Sequence, residues 1–157
     1  MRGNPVPHDG RSPITWRVSA HVVAMKRNRL LLVEPVYLAG RLELPGGEVE
    51  ADETLLEGAT RECWEETGYS FRPTSPDPIF VVEQFFCPEP GADYRHSTVL
   101  AFVGDVTEQP DPKWHAGPED EGTTVHWVDV ADLNPDLLHP NHWLALTKVG
   151  IVPGGPA

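Results

Sequence analysis

Cysteine occurs only twice in the 157 residues, as Cys63 and Cys87. Two are too few for a disulfide framework, and their spacing is not of a metal-binding type. No run of 18 apolar residues occurs, so no segment has the length needed to span a bilayer as a helix. The opening stretch Met1–Pro13 is polar, carries Pro5, Pro7 and Pro13, and lacks the apolar core of a signal peptide. These absences lead to the expectation of a soluble cytoplasmic protein. Positive charge is scarce as well: 12 Lys and Arg stand against 24 Asp and Glu, a formal charge of −12. A nucleic-acid duplex or an anionic membrane is then a poor partner, because both reward Lys and Arg. An anionic ligand would need a cation between itself and this chain.

What is present reads as an ordinary globular domain, 39% apolar and 23% charged, of a length that fits one core. The 17 prolines gather between apolar runs and punctuate them. The expected organisation is a flexible leader over 1–13, one domain over 14–150 and a flexible tail over 151–157. Arg17–Met25 and Leu30–Val36 are β-rich runs joined by a short turn in which Asn28 is the residue suited to positive φ. Ile79–Phe86, Thr98–Val106 and Val125–Val130 read as further strands. Thr98–Val106 is apolar on both alternating faces, as a central strand covered on both sides would be. Thr54–Thr67 is the clearest helix, with Asp52 or Thr54 as cap and Gly68 behind it. Asn134-Pro135 is expected to open a short helix, and Asn141–Val149 to form the last one. Many strands with few helices point to an α+β fold, an α/β/α sandwich around a mixed sheet.

The acids are unevenly placed. Between Gly47 and Tyr69 lie Glu48, Glu50, Asp52, Glu53, Glu57, Glu62, Glu65 and Glu66, opposed only by Arg61; these 23 residues carry −7 and the other 134 carry −5. On a helical wheel Leu55, Leu56, Ala59, Cys63 and Thr67 form the packing stripe. Glu62, Glu65 and Glu66 share a neighbouring arc at i, i+3 and i, i+4 spacing, where like charges cost about 0.2–0.5 kcal/mol per pair. They also sit at the helix end that disfavours anions. A solvated acidic face would intersperse Lys, and this segment has none. A divalent cation resolves the repulsion, and oxygen-only ligands favour Mg²⁺, Mn²⁺ or Ca²⁺. Gly58 falls on the same arc and would leave room for metal, water or substrate. Arg61 can pair with Glu57 or Glu65, and Leu44-Pro45-Gly46-Gly47 is a turn that brings backbone close to a metal or phosphate.

Gly47, Glu53, Arg61-Glu62-Cys63, Glu65-Glu66 and Gly68-Tyr69 together resemble the Nudix box, G-x5-E-x7-R-E-U-x-E-E-x-G-U, with U a bulky apolar residue. At roughly 7% usage per residue type, seven fixed positions match by chance on the order of 10⁻⁸ per window. Cys63 departs from the usual aliphatic but still fills an apolar position. The likeness extends from about Trp16 to Leu138, through an opening hairpin and through Asp120-Glu121 ahead of Trp127. It implies a Nudix-type (MutT-like) sandwich and Mg²⁺- or Mn²⁺-dependent hydrolysis of a nucleoside diphosphate linked to another group X. Glu62, Glu65 and Glu66 would be metal ligands, with the Gly46 carbonyl joining them. Glu53 would be a further ligand or would orient Arg61, and Glu121 or Glu66 would be the general base. Dimers are common in the family, so a homodimer is the assembly to look for. The competing class is a non-catalytic nucleotide sensor of the same fold; such domains are expected to have lost box carboxylates, and this chain has lost none.

Substrate choice is set outside the box, where the signals are thinner. Trp16, Phe85 or Phe86 could stack a base, although a strand aromatic is more often core. Glu83 and Gln84 could read a base edge or be the solvent side of an edge strand. His139 and His142 read as capping or surface residues. Trp64 projects from the helix away from the carboxylates, to pack under a loop or to meet a second copy. Cys63 faces the core.

Overall fold

The computed structural model describes residues 10–153 apart from 12, 39, 87–93 and 119; Cys87 and the tail beyond 153 lie outside the described residues. In chain order the elements are β1 (Ile14–Lys26), β2 (Arg29–Glu34), β3 (Gly46–Glu48), α1 (Leu55–Thr67), β4 (Phe71–Pro73), β5 (Phe80–Phe86), β6 (Tyr94–Val106), β7 (Thr124–Asp129) and α2 (Pro140–Lys148). The strands form one sheet in the order β4-β6-β1-β2-β7, with β3 also on β1 and β5 also on β6. β1 and β6 run parallel from Ile14 opposite Tyr94 to Ala24 opposite Gly104. The remaining pairings are antiparallel, so the sheet is mixed, as expected.

Alternation along the central strands builds two cores. Ala20, Val22, Ala24, Leu31 and Phe102 pack with Ala59, Cys63 and Phe71 under α1. Val23, Leu30, Leu32, Phe80 and Ala101 pack with Ala145 and Leu146 under α2. One helix per face gives the α/β/α layering. No described helix is long and apolar enough to cross a membrane.

Three local expectations change. The turn between β1 and β2 takes its positive φ at Arg27 (58°), not at Asn28. Asn28 is committed elsewhere: its amide donates to Asp129 Oδ1 at 2.8 Å and its carbonyl accepts from Val130 N–H at 2.9 Å. No helix starts at Asn134-Pro135. The Asn134 side chain accepts from the N–H groups of Asp136 and Leu137, closing a turn that delivers Leu138 to a bridge with Leu42. Finally, packed structure runs past residue 150. Val152 is buried and Ile151 packs on the α2 core, because the turn at Gly150 (φ 75°) folds the chain back onto Leu146.

Candidate functional site

Helix α1 starts where a capping box forces it to. The Thr54 hydroxyl accepts from Glu57 N–H and the Glu57 carboxylate accepts from Thr54 N–H, which satisfies two of the helix's orphan donors. Thr54 rather than Asp52 is the cap. The helix ends at Gly68, whose φ of 73° closes the last turn onto the Trp64 carbonyl. Trp114 covers that end: its indole N–H donates to the Glu65 carbonyl at 2.9 Å. A Cβ on Gly68 would come within 2.8 Å of its ring. The positions that α1 buries are Gly58, Ala59, Cys63 and Thr67. Leu55 is 37% exposed, so the packing stripe is narrower than the wheel suggests. Burial raises the Cys63 thiol to about 12, which leaves it an inert apolar filler.

The carboxylates are organised by Arg61. Its Nε and Nη2 hold both oxygens of Glu53 at 3.0 and 2.6 Å, while Nη2 also reaches the Glu48 carbonyl. Its Nη1 donates to Glu62 at 2.9 Å and to Glu65 at 2.8 Å. Glu53 therefore orients Arg61, one of the two roles the sequence left open for it. Of the two helix partners the sequence offered Arg61, Glu65 is the one it takes, because Glu57 is engaged in the capping box. Gly58 also differs from expectation. A Cβ there would meet Glu53 at 2.9 Å and Val49 at 3.1 Å, so its missing side chain accommodates the loop that carries Glu53 and leaves no cavity for metal or substrate.

Glu66 lies deepest. Its Oε2 accepts the Gly46 N–H at 2.8 Å. Burial pushes its carboxyl well above the usual range; the Gly46 bond opposes this, while the charges of Glu62, Asp120 and Glu43 add to it. Burial also raises Glu62, against the pull of Arg61. Gly46 and Gly47 let the backbone come this close. A Cβ on Gly46 would lie 2.3 Å from the Ala20 carbonyl, and one on Gly47 would lie 2.6 Å from the Glu62 carboxylate.

A cleft of about 1200 Å³ opens beside these groups, with Glu62 and Glu65 on one side and Lys113, His115, Asp120 and Glu121 on the other. A smaller, more apolar recess of about 570 Å³ lies along Leu56, Thr60, Trp64 and Pro73. It includes none of Glu62, Glu65 and Glu66; the larger cleft is lined by Glu62 and Glu65, while Glu66 lies behind its wall. Trp64, 40% exposed, borders both and is not covered by a loop.

Among the described residues no three His, Cys, Asp or Glu side chains stand close enough together to hold a metal ion as they are placed. The Arg61 guanidinium supplies the positive charge between Glu62 and Glu65 instead. The donor set nonetheless fits a hard divalent cation. It is all oxygen, it has a glycine cradle, and its deepest carboxylate has one neutral donor against three negative neighbours.

A family model described as the NUDIX domain matches residues 15–149. The chain belongs to the NUDIX family. Phosphatase NudJ of Escherichia coli (strain K12) is 44% identical over 57 residues, 36% of this chain and 37% of that protein. The NUDIX chain thus aligns with little more than a third of the curated relative's length. Among solved structures, a NUDIX hydrolase from Nitrosomonas europaea superposes with a TM-score of 0.70 at 21% identity, covering 86% of this chain and 88% of that one. A MutT NUDIX hydrolase from Burkholderia pseudomallei gives a TM-score of 0.66 at 24% identity, covering 86% and 98%. These similarities establish the NUDIX sandwich.

Several residues of this NUDIX domain stand elsewhere than the sequence suggested. Trp16, Glu83 and Phe85 do come together, around His96. The Trp16 and His96 rings are 4.0 Å apart, Phe85 is 6.1 Å from His96, and Glu83 Oε1 is 3.3 Å from His96 Nε2. Trp16 is 69% exposed, so it is no core residue, and none of the three lines the carboxylate cleft. His139 caps α2 as expected, but His142 is buried rather than superficial. Asp120 and its neighbour Glu121 both line the cleft. Glu121 is exposed, while Asp120 lies near enough to act on both Glu62 and Glu66. Glu43 directly precedes the Leu44-Pro45-Gly46-Gly47 turn. It is a further carboxylate beside Glu66, raised by burial and accepting from the Tyr37 hydroxyl at 2.9 Å.

Proposed function

We propose that this domain hydrolyses the phosphoanhydride bond of a nucleoside diphosphate linked to X, with Mg²⁺ or Mn²⁺ held by Glu62, Glu65, Glu66 and the Gly46 carbonyl. One observation carries the reading: Glu66 is half-buried against Gly46 N–H among Glu62, Asp120 and Glu43, an arrangement that calls for a counter-charge and is suited to an anionic ligand only once that charge is present. When bound, a divalent cation neutralises phosphoryl oxygens and lowers the pKa of water. The rest falls to the chain. Water attacks phosphorus; Glu66 or Glu121 accepts the water proton on a carboxylate oxygen, and the leaving phosphate oxygen departs with the P–O electron pair. Asp120, close to Glu62 and Glu66, is a further loop acid for this role. Lys113 on the far wall offers positive charge to the departing group, and Glu53 keeps Arg61 in place; Glu62 and Glu65, now paired with its guanidinium, would be the side chains to hold the metal.

Trp16, Phe85 and Glu83 are the proposed nucleoside contacts, supported by the exposure of Trp16 on a face that also carries His96. Trp16→Ala should raise KM with kcat retained; unchanged kinetics would remove Trp16 from the site. The test of the whole reading is a panel of nucleoside diphosphate derivatives incubated with Mg²⁺ or Mn²⁺, with products identified by mass. Turnover of any member supports hydrolysis. Binding of nucleotide without turnover of any would favour the non-catalytic sensor.

A further inference from the structure

The segment Leu44-Pro45-Gly46 is held by four hydrogen bonds. Gly46 N–H goes to Glu66 at 2.8 Å, and the Pro45 carbonyl accepts from Val22 N–H at 2.8 Å. The remaining two come from side chains on separate elements and converge on one peptide residue. Leu44 N–H donates to Nδ1 of His142, in α2, at 2.9 Å. Nδ1 of His21, in β1, donates to the Leu44 carbonyl at 3.1 Å. The two imidazole rings lie 4.5 Å apart, and both residues are buried.

This pairing fixes the protonation of both rings. His142 accepts through Nδ1 and so must carry its proton on Nε2, whereas His21 must carry its proton on Nδ1. Burial favours the neutral forms: the His21 ring is pulled down to about 4 and His142 well below its usual range. Pro45 has no N–H, so the last side-chain anchor before the Gly46–Glu66 bond has to be at Leu44. That residue is only 1% exposed, which leaves little room for water to replace the His142 acceptor. Gly46 itself packs on His21, since a Cβ there would lie 2.5 Å from the His21 Cα.

We propose that His142, assisted by His21, is a positioning residue for the carboxylate site: it fixes the Leu44 peptide and thereby the placing of Gly46 against Glu66. The C-terminal helix, on the far face of the sheet, thus sets the geometry of a loop that serves α1. The proposal rests on the reading of Glu66 and Gly46 as metal ligands.

The test uses the metal-free full chain and Mn²⁺ alone, with free Mn²⁺ followed by electron paramagnetic resonance. His142→Asn puts its amide oxygen where Nδ1 stands, and His142→Gln puts it near Nε2. The Asn variant should bind Mn²⁺ close to wild type, and the Gln variant about tenfold more weakly, as loss of a group that orients a ligand does. Amide exchange at Leu44 and Gly46 in the metal-free chain should be slow in wild type and Asn and faster in Gln. Equal Mn²⁺ affinity in the two variants would overturn the proposal, whatever their melting temperatures. If either variant fails to fold by circular dichroism, the comparison moves to His21→Asn, which keeps an N–H donor, against His21→Leu. Failure of both pairs to fold would also overturn it, because the ring contacts would then serve the fold and not the site. Wild-type protein that binds no Mn²⁺ would instead sink the metal reading itself, a separable outcome.

Discussion

Arg61 and Glu66 divide the electrostatic work between them. Arg61 is a fixed cation that holds Glu53 with two bonds and Glu62 and Glu65 with one each; Glu66 is beyond its reach and, among the described residues, accepts from the Gly46 backbone N–H. Replacing Glu66 with Gln should therefore lower the Mg²⁺-dependent rate by about 10²–10⁴-fold. It should leave the metal-free protein at least as heat-stable as wild type near neutral pH, since a repelled, half-buried charge is gone. Rate assays and melting curves with and without Mg²⁺ check both halves, and an intact Mg²⁺-dependent rate would remove Glu66 from the chemistry. Arg61→Ala should act in the opposite sense on stability, lowering the metal-free midpoint more than the Mg²⁺-bound one. Melting curves decide it, and equal losses with and without Mg²⁺ would mean that Arg61 is not the cation standing between Glu62 and Glu65. At this scale the sequence was informative where spacing alone fixes neighbours. The helix arc of Glu62, Glu65 and Glu66 could be drawn from i, i+3 and i, i+4. The Glu53–Arg61 fork was open as one of two options, because it spans a loop whose path no spacing specifies. The burial of His142 is not legible for the same reason: its partner Leu44 is 98 residues away in the chain.

Helix α1 owes its limits to its ends. Thr54→Ala removes the capping box and should cost about 1 kcal/mol of unfolding free energy, measurable by denaturant titration. The arc of carboxylates should stay intact, so Mn²⁺ affinity should hold; a fall in affinity larger than the fall in stability would mean that the cap also places Glu53. Gly68→Ala should cost about 1–2 kcal/mol for the left-handed backbone, with a further loss from the close approach of Trp114. The strands were readable from alternation and β-branched runs, to within a few residues at their ends. β6 and β1 extend further toward their N-termini than their apolar runs do, because each supplies the other with hydrogen bonds there. The segment after Asn134 was mistaken for a helix because Asn-Pro opens turns and helices alike; the bridge to Leu42, a distant residue, decides between them.

The molecule as a whole carries its acid in an unusual state. Glu66, Glu62 and Glu43 all sit above the usual carboxyl range, so the folded metal-free chain binds protons there more tightly than the unfolded one. The stability they contribute is present in full below the unfolded value and is lost as pH rises through the folded one. Glu53 and Glu57 are held below the usual range, by the Arg61 hydrogen bonds and by the Thr54 backbone N–H respectively, and contribute in the opposite direction, losing their effect as the solution turns acid. His21, His142 and His139 are held low by burial and also gain stability as pH rises toward the ordinary imidazole value, so the metal-free melting temperature should fall with pH only above about pH 6.5, and saturating Mg²⁺ should flatten that slope. Scanning the melting point above that pH in chelator and in Mg²⁺ checks it; a metal-free midpoint that climbs with pH there would contradict it. The parallel union of β1 and β6 has a consequence of another kind. Its partners, Ile14 with Tyr94 through Ala24 with Gly104, stand 80 residues apart in the chain. A polypeptide emerging from the ribosome thus displays this central strand long before its parallel mate has been made. Contacts of such long range form late and slowly. The nascent chain must carry that open edge through most of its synthesis, which is the interval in which a chaperone would find it.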